Sequence, residues 1–197
     1  MDLKQAIAEE IANGIVSTGV EGPFDAVSKS SAGDYPSIGV SQWEGVRADN
    51  LLNHISGGEK FRGRGYYDIV DAGELEELKW LLGSDQGKQA QLNLLAADCV
   101  RYVEALQQVE KFYDTRCVIY AGIWCPTSTS VVQKFLMNRS YKYNLEDLET
   151  LRDVFAEEYW KAAGVGCRYF EGYHNRAHRT YDYVKNIDMD AFWRKVG

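Results

Sequence analysis

The sequence lacks the features that mark membrane proteins, secreted proteins and disulfide-rich proteins. It contains no run of about 18 consecutive apolar residues, the length that a membrane-spanning helix requires. Its opening residues, MDLKQAIAEE, have neither the basic start nor the apolar segment of a secretory signal. Its 4 cysteines form no Cys-x-x-Cys pair and lie mostly in apolar helical patterns. We therefore expect buried free thiols, no metal site and synthesis in a reducing cytoplasm.

Positive charge is also scarce. Lysine and arginine number 22 against 29 acidic residues, which gives a formal charge of −7 and a pI near 5.0. Proteins that bind nucleic acid usually carry a basic footprint, so no nucleic-acid partner is expected. An acidic surface favours solubility and also suits a neutral or cationic ligand. The glycines of residues 57–65 do not follow a strand as nucleotide-binding loops do, and no cofactor is predicted.

What the sequence does contain is helical periodicity. Its 197 residues, of which 45% are apolar, are enough for one globular domain. Apolar residues four positions apart (Leu3, Ile7, Ile11, Ile15) predict a first helix that ends near Gly19. The same spacing predicts further helices over 44–55, 74–82, 86–112, 117–124, 130–137 and 144–163, and a last one ending near Lys185. Residues 28–37 have turn composition and residues 38–43 predict a strand, so the fold class is α+β, mainly α.

Glu21 occupies an unusual position just after the first helix. Gly22-Pro23 prevent that helix from continuing, and Val20 and Phe24 flank the carboxylate with apolar groups. Apolar surroundings and the negative end of a helix dipole both raise the pKa of a carboxylic acid. A carboxylic acid that stays protonated near neutral pH is the general acid that glycoside cleavage requires.

The residues that follow Glu21 carry a family resemblance. Asp34 comes next, preceded by Gly33, and then the segment Gly39-Val40-Ser41-Gln42. This order resembles the lysozyme-like superfamily, most closely goose-type lysozymes and lytic transglycosylases, in which a helix-ending glutamate precedes a small-residue loop and a G-L-M-Q-like segment. Ser37-Ile38-Gly39-Val40 is also similar to the T-I-G-I hairpin of phage-type lysozymes. The resemblance covers about residues 1 to 55.

The resemblance implies a single lysozyme-like catalytic domain with two lobes. Its small β-hairpin lobe would span about residues 1–60 and its helical lobe about 61–197. Glu21 would be the general acid, and Asp34 or, alternatively, Asp25 the second carboxylate that orients water. Ser37 would place a hydroxyl near that water, Gly39 would let the backbone approach the sugar, and Gln42 would be structural or sugar-binding. The chain departs from the family at Gly22, where serine is usual, and at Ile119-Tyr120-Ala121-Gly122, which lacks the asparagine of the A-Y-N-A-G-like stretch of transglycosylases.

Other side chains are weaker candidates. Flat aromatic faces bind sugars, and Tyr35, beside Asp34, and then Tyr120 are predicted to contact substrate. His174 and His178 share a helix face but lack the glutamate and third ligand of a zinc site. Cys125 lies in no recognisable nucleophile motif, so cysteine catalysis is not favoured.

The resemblance implies an endolysin-type muramidase of phage origin. Such an enzyme is made in the host cytoplasm and acts on the cell wall, where it cleaves the β-1,4 bond between muramic acid and glucosamine in peptidoglycan. A chitosanase and a lytic transglycosylase of the same superfamily remain open as alternatives. So does a protein of another class, a non-catalytic glycan-binding or virion structural module. The sequence predicts no oligomeric state.

Overall fold

The computed structural model describes residues 1–19 and 22–197 and is mainly helical, with one small antiparallel sheet. The predicted α+β, mainly α, class is confirmed. The elements in chain order are α1 (Leu3–Thr18), β1 (Val27–Lys29), β2 (Pro36–Ile38), α2 (Gly45–Leu52), α3 (Tyr66–Asp71), α4 (Leu75–Gly83), α5 (Asp85–Leu106), α6 (Thr115–Arg139), α7 (Leu148–Ala162), α8 (Phe170–Lys185) and α9 (Met189–Val196). Over the described ranges, no helix is long and apolar enough to cross a membrane.

The chain divides into two compact units. The helical unit consists of Met1–Thr18 and Ala96–Gly197, and the hairpin unit consists of Gly19–Leu95. Of the predicted site residues that the structure describes, all but Tyr120 belong to the hairpin unit. The lobe boundary near residue 60 stays a prediction.

Aromatic side chains form the centre of the helical unit. The rings of Trp124 and Phe155 lie 4.9 Å apart, and Phe155 stacks on Tyr159 at 5.0 Å. Close approach of α1 and α6 depends on Gly122, because a Cβ added there would lie 2.3 Å from Cδ1 of Ile11. Gly122 belongs to the segment Ile119-Tyr120-Ala121-Gly122, which was compared with the transglycosylase stretch. Its role here is structural, because it allows α6 to pack against α1.

Helix α6 differs from its prediction. The sequence predicted separate helices over 117–124 and 130–137, but the structure has one helix that includes Pro126 and breaks at Ser128, where φ is −173° and ψ is 106°. The Ser128 hydroxyl accepts a hydrogen bond from the backbone N–H of Val131 at 3.4 Å and so caps the following segment. At the other end, α6 begins at Thr115 because Asp114 caps it, its carboxylate accepting from Cys117 N.

The hairpin also differs from its prediction. Strands β1 and β2 pair antiparallel with Ser28 opposite Ser37, within the segment predicted to be a turn. The predicted strand over 38–43 is wrong: Ile38 and Trp43 exchange both backbone hydrogen bonds at 2.9 Å, and the residues between them turn. Gly39 and Gln42 make this turn possible with φ values of 72° and 50°. Apolar alternation cannot reveal two residues in the left-handed region.

Candidate functional site

The turn at the end of β2 holds a hydrogen-bonded network of predicted site residues. The Ser37 hydroxyl lies 3.1 Å from the Gln42 carbonyl oxygen and 3.2 Å from its Oε1. Ser28 donates to the same Oε1 at 3.0 Å, and Gln42 Nε2 donates to the Gly39 carbonyl at 3.0 Å. The structure thus brings Ser37, Gly39 and Gln42 together, with their polar groups hydrogen-bonded to one another.

The chain that leads into the hairpin approaches this network. Glu21, the predicted general acid, lies outside the described residues, but the next residue, Gly22, is described. A Cβ added at Gly22 would lie 3.9 Å from Gln42 Nε2 and 3.5 Å from the Ala26 side chain. Gly22 also has a backbone φ of 141°, a value that residues other than glycine rarely adopt. The residue after Glu21 therefore lies beside Gln42.

Gln91 fastens the hairpin to the rest of its unit. Its side chain is completely buried, and Oε1 accepts from the backbone N–H of Val40 at 3.0 Å. Nε2 donates to the carbonyl oxygens of Phe24 at 3.1 Å and Leu82 at 3.0 Å. A Cβ at Gly39 would lie only 2.3 Å from this Oε1, so the glycine is required by the amide. Sequence reasoning missed Gln91, since a single glutamine in a helical pattern carries no signal of its partners.

Asp34 and Tyr35 line a pocket of about 200 Å³ in the hairpin unit. Asp34 is exposed, and its Oδ1 accepts from the backbone N–H of Tyr67 at 3.1 Å. A second carboxylate in the same pocket, Asp49, was not predicted, and it accepts from Gly63 N at 2.9 Å. The pocket therefore presents two carboxylates and the Tyr35 ring, groups that can hydrogen-bond to a ligand and stack on it.

The cation of this pocket is already paired. Arg64 forms an ion pair with Glu74, and Lys60 contacts both Glu74, at 2.9 Å, and Glu77, at 2.7 Å. Hydrogen bonds from Lys60 and Arg64 lower the pKa of Glu74. The glutamates neutralise the positive charges of Lys60 and Arg64. The net charge at the pocket is therefore negative and comes from Asp34 and Asp49.

The remaining predicted residues lie elsewhere. Asp25, the alternative second carboxylate, is exposed and lines a different pocket of the hairpin unit, beside Trp80. Tyr120 has no exposed surface, and its hydroxyl donates to the Ala177 carbonyl at 3.2 Å within the helical unit. Its ring offers no face to a substrate, so the predicted sugar contact is wrong. Helical spacing alone does not separate a core tyrosine from a binding one.

Most of the cysteines are buried, and two of the histidines lie side by side. Burial raises the pKa of the Cys125 thiol to about 12, so almost no thiolate exists at neutral pH. The buried-thiol prediction holds for Cys99, Cys117 and Cys125, but Cys167 is exposed. The rings of His174 and His178 lie 4.6 Å apart. In the ranges that the structure describes, no group of three His, Cys, Asp or Glu side chains is arranged to hold a metal.

Comparison of the chain with protein-family models, with curated proteins and with solved structures gives no match. A functional assignment therefore depends on the residues themselves and on their arrangement.

Proposed function

We propose that the chain is a lysozyme-like glycoside hydrolase that cleaves β-1,4 bonds of bacterial peptidoglycan, with Glu21 as the general acid. The proposal includes the fold, in which the hairpin unit provides the small lobe and the helical unit the larger one. It also includes the endolysin-type role, in which a phage enzyme made in the host cytoplasm acts on the cell wall.

The observation that carries the proposal is the position of Gly22 beside Gln42. The two parts of the family resemblance, the helix-ending glutamate and the Gly39–Gln42 segment, are separated in sequence, yet the residue after Glu21 lies near the Gln42 side chain at the end of that segment. The order of α1, an antiparallel hairpin and then helices is also the order that the resemblance implies.

Glu21 would protonate the leaving oxygen of the glycosidic bond. In an inverting hydrolase, a second carboxylate about 6.5–9.5 Å away activates water. Asp34 is the first choice for this base because it is exposed in a pocket that also offers the Tyr35 ring and Asp49. Asp25 remains the alternative. A transglycosylase would use Glu21 as both acid and base and would need neither aspartate.

The catalytic role of Glu21 is tested by measuring how fast the Glu21→Gln variant clears a suspension of purified cell walls. A lost general acid lowers the rate by about 100-fold or more. Glu59→Gln is the matched control, since Glu59 is an exposed glutamate of the same unit that lines neither pocket described above. We expect the control to clear walls at the parent rate. Equal clearing by Glu21→Gln would refute the mechanism.

Mass spectrometry of the products separates the related activities. Reducing muramic acid ends indicate hydrolysis, anhydro ends indicate a lytic transglycosylase, and glucosamine oligomers from chitosan indicate a chitosanase. If Asp34→Asn and Asp25→Asn both keep the parent rate, the second carboxylate is dispensable, as in a transglycosylase.

A non-catalytic glycan-binding or virion structural module is the candidate from another class. One observation favours it. The polar groups of Ser37, Gly39 and Gln42 hydrogen-bond to one another, and these bonds explain the residues structurally without a substrate. Such a module would bind walls without clearing them, and Glu21→Gln would bind as the parent does.

A further inference from the structure

The hairpin unit contains a second, larger concavity, distinct from the Asp34 pocket. Its volume is about 480 Å³, and its lining residues are Asp25, Glu76, Lys79, Trp80, Gly83 and Ser84. Except for Asp25 and Ser84, these residues belong to α4. We call this concavity the Trp80 pocket.

Trp80 is conspicuous because so much of it faces solvent. Its exposed fraction is 71%, whereas Leu78 and Leu82 of the same helix are completely buried and pack the core. Within the described part of the chain, the indole has no hydrogen bond, ring partner or cation above it. A ligand that covered this indole would gain part of the roughly 1.5–3 kcal/mol that burial of a large apolar side chain provides, so the concavity offers an apolar face for binding.

The polar groups around the indole are suited to a sugar. Glu76 lies one helical turn before Trp80, and its carboxylate pairs with Lys79 Nζ at 2.7 Å. That hydrogen bond raises the pKa of Lys79, and the charge of Asp25 adds to the shift. Gly83 lies close to Asp25, since a Cβ added there would make an ordinary contact, 3.5 Å, with the Asp25 Cβ.

The charge of the pocket selects among sugars. Two carboxylates, Asp25 and Glu76, face a single ammonium, Lys79, and Lys79 is already paired with Glu76. Asp25 accepts no hydrogen bond from any described residue, so its oxygens are available to a ligand. A net negative pocket attracts a cationic sugar, accepts a neutral one and repels the lactyl carboxylate of muramic acid.

We propose that the Trp80 pocket is a binding subsite for a glucosamine-type pyranose, which stacks on Trp80 and directs its 2-nitrogen toward Asp25. This inference rests on the proposed function, because it assumes that the ligand is a β-1,4-linked amino-sugar chain. The glucosamine unit can be N-acetylated, as in peptidoglycan, or carry a free amine, as in chitosan.

Titration calorimetry of the full chain carrying Glu21→Gln measures binding without turnover. The ligands are a glucosamine hexamer, an N-acetylglucosamine hexamer and cellohexaose, which has the same linkage without nitrogen. We expect the glucosamine hexamer to bind several-fold more tightly than the acetylated one, and this ratio to shrink at high salt because the attraction to Asp25 is exposed. Equal affinity for cellohexaose would overturn the amino-sugar assignment.

Two substitutions test the residues. Trp80→Ala should lower the binding affinity for both amino-sugar hexamers about tenfold, because the substitution removes the aromatic stacking surface. Asp25→Asn should keep the binding of the acetylated hexamer and abolish the preference for the free amine. Trp193→Ala is the matched control, because Trp193 is a 46% exposed tryptophan of the helical unit, and it should change neither affinity. Thermal unfolding of each variant confirms that it is folded, and Trp80→Phe, which keeps an aromatic face, should restore most of the affinity.

The outcomes separate this inference from the proposed function. Binding that depends on Trp80 in a protein that cleaves neither walls nor chitosan supports the subsite and refutes the hydrolase. Cleavage that depends on Glu21, with parent-like hexamer binding by Trp80→Ala, supports the hydrolase and refutes the subsite.

Discussion

Replacing Gln91 with leucine tests how the hairpin is held in place. The substitution removes three hydrogen bonds made by a completely buried amide, to Val40 N, Phe24 O and Leu82 O. Each bond contributes about 0.5–1.5 kcal/mol net, and an orphaned buried partner costs about 1–3 kcal/mol. Leucine fills a similar volume, so little cavity forms, and we expect a total loss near 3 kcal/mol.

Urea denaturation followed by circular dichroism measures this loss. The midpoint should fall while the slope stays constant, because the surface exposed on unfolding does not change. Gln89→Leu is the control, because Gln89 is exposed on the same helix and its side chain hydrogen-bonds only to Asn93. This substitution should change the free energy of unfolding by no more than about 0.5 kcal/mol. A Gln91→Leu effect below about 1 kcal/mol would show that the hairpin does not depend on the amide.

Two further predictions concern packing and thiol chemistry. Gly87→Ala should destabilise the protein by about 1–3 kcal/mol in thermal unfolding, because the added Cβ would lie 2.2 Å from the Leu81 carbonyl oxygen. Gly172→Ala, in open space on α8, should instead stabilise it by about 0.5–1 kcal/mol, and destabilisation of similar size by both would contradict the steric argument. Of the 4 cysteines, Cys167 alone is exposed, so a thiol reagent should modify one thiol rapidly in the native protein and four in denaturant. Rapid native modification of Cys167→Ser would contradict the burial of the other three.

The helices were predictable from sequence where an apolar face is continuous. The spacing of Leu3, Ile7, Ile11 and Ile15 predicted α1, and all but Leu3 are buried in it. The start of a helix can be placed wrongly even when the helix exists: the sequence predicted a helix over 144–163, but α7 begins at Leu148, where Asp147 caps it by accepting from Thr150 N at 2.8 Å. Several side chains near a helix start can serve as caps, and tertiary packing decides between them.

The candidate site was less predictable, because its arrangement depends on contacts between distant residues. Asp49 joins Asp34 in one pocket through the packing of α2 against β2, and no local pattern links the two aspartates. Trp80 was absent from the predicted binding residues, although its helix was predicted. Exposure is what distinguishes it from Trp43 and Trp124, which are both buried, and composition gives no information on exposure.

The hairpin motif has a structural explanation that is independent of catalysis. Gly39 is required by its φ of 72° and by the nearby Gln91 amide, and Gln42 by its bonds to Ser37 and to the Gly39 carbonyl. A chain that needed only this turn would select the same residues. The Gly39–Gln42 segment is therefore no evidence of catalysis by itself, and a test of the proposed chemistry has to change the carboxylates. Replacing Ser37 or Gln42 would impair stability and activity together, whereas Glu21→Gln would impair activity alone, and that difference is what makes Glu21 the decisive substitution.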